Sequence, residues 1–106
     1  MAKAAILVSL WHSATDKVDC LTWEEMDIST DTQAMREALA GMATMASEAA
    51  VAHEAKPAIT FTVLRLPLAG DADVSNDCIK SIETLGNPEA ILERLVNMVV
   101  SAAQKL

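Results

Sequence analysis

Four oxygen-bearing residues at alternating positions, Asp71-x-Asp73-x-Ser75-x-Asp77, come nearest to a recognisable chemistry in this chain. They match the first four liganding positions of a calcium loop, and there the match ends. Asn76 stands where such a loop turns on glycine, and Ile82 where it needs a bidentate glutamate. Glu83, one residue late, does not restore the register. The stretch reads as a solvated acidic loop.

The other candidates are sparse. His12 and His53 are the two histidines, and neither has an i+4 partner of metal-ligand type. Cys20 and Cys78 would complete a set of four zinc ligands, but without the paired spacing zinc sites show. The cysteines form no C-x-x-C and read as small buried hydrophobes, with a disulfide as the alternative. Ser9, Ser13 and Ser75 occur in no G-x-S-x-G context. Cys20 with either histidine would make a nucleophile–base dyad, yet nothing in the spacing brings them together. Glu24-Glu25-x-Asp27 carries carboxylates for acid–base work, and a solvated strand edge or turn explains them more simply. The three glycines make no phosphate cradle. No catalytic, cofactor-binding or metal-ligating residue is assigned, and the chain is read as a non-enzyme without a cofactor.

Composition narrows the partners. Of 106 residues, 52% are hydrophobic, yet the aromatics are only Trp11, Trp23 and Phe61. That leaves little with which to stack bases and argues against an interface rich in aromatic hot spots. A formal net charge of −7 opposes general affinity for nucleic acid or anionic membranes. A net value does not describe a local patch, and Lys3, Lys56, Arg65 and Lys80 would form one if the fold united them. Acidity mostly serves solubility; the sharper reading is a face made for a basic surface. Lys3 followed by Ala4–Leu10 resembles a truncated signal peptide, but it reads as a buried strand. No run approaches the roughly 20 residues of a membrane span, and the expected location is cytoplasmic.

The elements follow from periodicity. Ala4 to Trp11 is apolar on both faces, which suits a central strand covered on both sides. Val18 to Ile28 reads as a strand with a bulge near Glu24-Glu25, or else as a helix opened by a Thr22/Glu25 capping box. Thr30 with Gln33 predicts the cap of a long helix over 31–55. Met35, Leu39, Met42, Ala46, Ala49 and His53 line one side of it, opposite Arg36, Glu37, Thr44, Ser47, Glu48 and Glu54. Val51 falls in the middle of the polar side. Gly41 marks either close packing or a kink. Lys56-Pro57 stops the helix. Such a helix spans about 37 Å, against some 26 Å for the strand Ala58–Leu66, so roughly 10 Å should overhang. After a loop over Leu68–Ser75, Ser75 is expected to cap a helix Asn76–Leu85 with Ile79 and Ile82 inward, closed by Gly86. Asn87-Pro88-Glu89 starts a last helix whose apolar arc is wider than one sheet needs. It should touch two neighbours, either the sheet and the long helix or the sheet and another chain.

The expected fold is α+β over residues 1–106 as a single compact domain: a two- to three-stranded sheet crossed by the long helix, with one or two C-terminal helices. Its second and third strands should pair in parallel through a right-handed crossover. A predominantly α chain is the alternative. The expected function is a small acidic protein-binding module. Its concrete form is an inhibitor that docks on a larger basic or nucleic-acid-handling complex, as mobile-element anti-defence (anti-CRISPR-like) or antitoxin proteins do. That comparison rests on size and charge alone. A structural homo-oligomer or assembly factor is the second reading, and a small enzyme or ligand-binding domain using Cys20, His12 or His53 the third. The residues put forward for an interface are Val51, Glu54, Asp71, Asp73, Asp77, Val96 and Val100.

Overall fold

The computed structural model describes residues 2–67 and 74–104. In chain order they form β1 (Ala2–His12), β2 (Lys17–Ile28), α1 (Thr32–Ala52), β3 (Ala58–Leu66), β4 (Val74–Ile79), α2 (Ile82–Leu85) and α3 (Pro88–Gln104). The four strands make one antiparallel sheet in the order β2-β1-β3-β4. The fold is α+β.

β1 holds the centre, as its apolar run requires, and β2 is a strand folded back on it as a hairpin. The bulge lies earlier than Glu24-Glu25. Val8 pairs with Thr22 and Ser9 with Cys20, which leaves Leu21 as the extra residue. One extra residue inverts the alternation, so Thr22, Met26 and Ile28 share the inner face while Val18, Cys20 and Trp23 share the outer one. β2 and β3 do run in the same direction, as the crossover through α1 demands. They do not pair, because β1 occupies the place between them.

The N-cap of α1 is Asp31, not Thr30: the Ala34 N–H donates to the Asp31 carboxylate at 3.2 Å. The helix also ends early, at Ala52, with His53 already extended. Lys56 sits at φ 46 and donates its ammonium to the Val51 carbonyl at 2.7 Å, tying off the helix end. Twenty-one helical residues span about 31 Å and the nine of β3 about 30 Å. No overhang remains. A Cβ on Gly41 would meet nothing within 4 Å, so close packing does not explain that glycine.

The largest departure is β4. The expected helix from Asn76 is a strand to Ile79, and α2 is four residues long. The free edge of β3 supplies a hydrogen-bonding partner that a short isolated helix cannot match. The pattern then fits period two: Ile79, fully buried, lies opposite Ile59, and Asp77 points inward to Arg94 of α3 at 2.9 Å. Ile82, expected inward, is 69% exposed.

α1 and α3 lie side by side on the inner face. Ile6, Val8, Leu10, Ile59, Phe61 and Val63 form the floor of the core, and Leu39, Met42, Ala46, Ile91, Leu95 and Val99 its roof. Burying each of the larger side chains contributes roughly 1.5–3 kcal/mol. The wide apolar arc of α3 is thereby accounted for: it meets both the sheet and α1. Asn87 caps α3 through the Ala90 N–H at 3.2 Å. Ser47, placed by its spacing on the polar side of α1, is buried and donates to the Leu85 carbonyl at 2.8 Å. No described helix is long and apolar enough to cross a membrane.

Candidate binding surface on the outer sheet face

Successive side chains of a strand point to opposite faces, so the register alone sorts the sheet. With the even residues of β1 turned into the core, Lys3, Ala5, Leu7, Ser9 and Trp11 point out. Cross-strand neighbours extend them into rows: Trp23–Leu7–Thr62–Asn76 at the middle, Cys20–Ser9–Thr60–Cys78 on one side, and Glu25–Ala5–Leu64–Val74 on the other. Val18–Trp11–Ala58 and Asp27–Lys3–Leu66 form the end rows. Among the described residues, no helix packs on this face. Trp23 is 57% exposed and Val18 61%. Leu7, Leu64, Leu66 and Val74 are partly exposed, and the three middle rows carry one charge, Glu25.

At one end of the sheet lies a cleft of about 280 Å³ lined by Trp11, His12, Lys56 and Lys80 among others. The Trp11 indole N–H donates to Asp16 at 3.0 Å, and the Lys80 ammonium stands 4.7 Å from the Trp11 ring centroid. The His12 and His53 rings, far apart in sequence, meet edge to face with centroids 5.2 Å apart, and Asp19 Oδ2 lies 2.9 Å from His12 Nε2. Cys20 points outward and His12 inward, so those two form no dyad. Cys20 and Cys78 share a row three strand spacings apart, about 14 Å, beyond the roughly 7 Å Cα limit of a disulfide, and both are free. Among the described residues no group of histidine, cysteine and acidic side chains is arranged to hold a metal ion.

The proposed interface residues are scattered. Val51 is 40% exposed beside α2, where its Cγ1 would lie 3.8 Å from a Cβ on Gly86. Glu54 is exposed in the turn after α1. Asp77 is engaged by Arg94. Val96 is 1% exposed and belongs to the core, and Val100 is partly buried against it. Asp71 and Asp73 lie outside the described residues. The basic quartet divides: Lys56 and Lys80 line the cleft, while Lys3 and Arg65 sit at the far end of the sheet on opposite faces.

The residues that periodicity did not single out are Trp23, Val18, Leu7 and Leu64. One signal for them was present: β1 is apolar on both faces, and the hairpin register carries Trp23 onto the same side as Leu7. Compared with protein-family models, with curated proteins and with solved structures, the chain matches none.

Proposed function

We propose that this chain is a protein-binding module whose binding surface is the outer sheet face, with Trp23 and Leu7 in its middle row. The observation that carries the reading is a tryptophan left more than half exposed on edge strand β2, in a sheet face whose three middle rows carry a single charge. Tryptophan is the residue type most concentrated at binding hot spots, and contiguous exposed apolar patches mark interaction sites. Scarcity of aromatics in the chain does not weaken this, because two of its three aromatic residues, Trp11 and Trp23, stand on this one face.

Charge also separates the forms the module can take. A surface built for a basic complex would be acidic, and the sheet face is not. Glu37, Glu48, Glu89 and Glu93 are exposed on the helical side instead. An inhibitor of a basic or nucleic-acid-handling complex would therefore dock by its helices, whereas the sheet face suits a neutral, apolar protein surface. Capture from a lysate of the native host with the wild type and with Trp23→Glu tests the proposal. Partners retained by the wild type and lost by a folded Trp23→Glu are the expected result. Equal retention by both proteins removes the sheet face as the binding surface.

A further inference from the structure

We infer that the partner seated on the outer sheet face is a second copy of this chain, packed sheet to sheet. The inference rests on the reading of that face as a binding surface and names its occupant.

Three observations converge on a copy. β1 is apolar on both faces from Ala4 to Trp11, a pattern that belongs to strands covered on both sides, and the described helices cover one. Size is the second. Nine residues of β1 at about 3.3 Å each by four strands at about 4.8 Å give a footprint of roughly 500 Å² once the shorter β4 is allowed for. Two such faces bury about 1,000 Å², the threshold for a specific interface.

Charge is the third. In a chain of net charge −7, the outward strand residues contribute Lys3, Glu25 and Asp27, and Lys80 lies over Trp11. Asp16, which accepts from the Trp11 indole, adds a third anion, so among the described residues two cations stand against three anions on this face. Most of the acidic excess of the described residues, including Glu37, Glu48, Glu89 and Glu93, lies off this face, so two copies approach on a side where they repel little.

The relief of the face is self-complementary as well. Its tall side chain, Trp23, stands on edge strand β2, and the low ones, Thr62 and Asn76, lie on β3 and β4 in the same row. A two-fold axis along the strands, between β1 and β3, sets β2 of one copy over β4 of the other. Each Trp23 then fills the low ground above Thr62 and Asn76. An isologous contact of this kind closes on itself and stops at a dimer.

Sedimentation equilibrium of the wild type, Trp23→Glu and Asn76→Arg from about 1 µM to 1 mM tests the inference. Trp23 and Asn76 are exposed, so neither substitution touches the core, and circular dichroism checks the fold. A wild-type dimer is expected. Its dissociation constant should rise about 1,000-fold in Trp23→Glu, since a hot-spot loss is worth roughly 30-fold and the symmetry counts it twice. Asn76→Arg should weaken it comparably. The same axis brings Cys20 of one copy near Cys78 of the other, so a thiol-specific linker of about 10 Å should join wild-type chains and fail in Cys20→Ser and in Cys78→Ser.

A wild type that stays monomeric at 1 mM overturns the inference. So does a dimer unmoved by both face variants, or one in which the linker joins no chains. Capture of another protein by the wild type but not by Trp23→Glu, alongside a monomer, would overturn the second copy while leaving the binding surface standing.

Discussion

Breaking the Asp77–Arg94 pair should loosen β4 before the rest of the sheet. Arg94 Nε and Nη2 each donate to an oxygen of the Asp77 carboxylate, and Nη2 also reaches the Cys78 carbonyl at 3.3 Å. The two side chains are 41% and 26% exposed. Fully exposed pairs are worth roughly 0.2–1 kcal/mol, and breaking a buried pair costs about 3–5 kcal/mol. A half-exposed, two-pronged pair falls between. Arg94→Met keeps the aliphatic stem and should cost about 1.5 kcal/mol. Asp77→Asn should cost about the same, and the double variant about 2 kcal/mol, which leaves a coupling of about 1 kcal/mol. With a urea slope of about 1.5 kcal/mol/M, each single substitution lowers the midpoint by about 1 M. Hydrogen exchange supplies the location: amides of β4 should lose protection while those of β1 keep theirs. A coupling below about 0.3 kcal/mol, or equal loss of protection in β1 and β4, would refute the claim that this pair anchors the edge strand.

Three further outcomes follow from single positions. Ser47→Ala leaves the Leu85 carbonyl without its buried donor and should destabilise by about 1–2 kcal/mol in urea unfolding, whereas Thr44→Ala, exposed one turn away, should sit within about 0.5 kcal/mol of wild type. Asp31→Ala should cost about 1 kcal/mol, because its carboxylate caps α1; Thr30→Ala should be nearly silent, and a larger loss at Thr30 would return the cap to that residue. Gly41→Ala should raise stability by about 0.5–1 kcal/mol, since open space awaits the new Cβ; a lower thermal midpoint would show that the helix needs glycine there.

Much of the fold was written in local pattern. Repeating apolar positions marked α1 and α3, Asn87-Pro88 marked where α3 begins, and the two-faced run Ala4–Trp11 marked a central strand, because each of these depends on which residues share one element's face. Element ends shifted by one to three residues where a neighbouring group made an equally good cap, as Asp31 did beside Thr30. Tertiary structure decided what depends on edges and on distance. Val74–Ile79 is a strand because β3 offers a free edge, and nothing within those six residues announces that edge. Ser47 is buried because Leu85, 38 positions away, comes to rest above it. His12 and His53 meet for the same kind of reason, and Cys20 and Cys78 stay apart because two strands lie between them. The candidate surface joins both parts. Sequence determined that β1 is apolar on two sides; only the packing of both helices onto one of those sides left Trp23 and Leu7 open on the other.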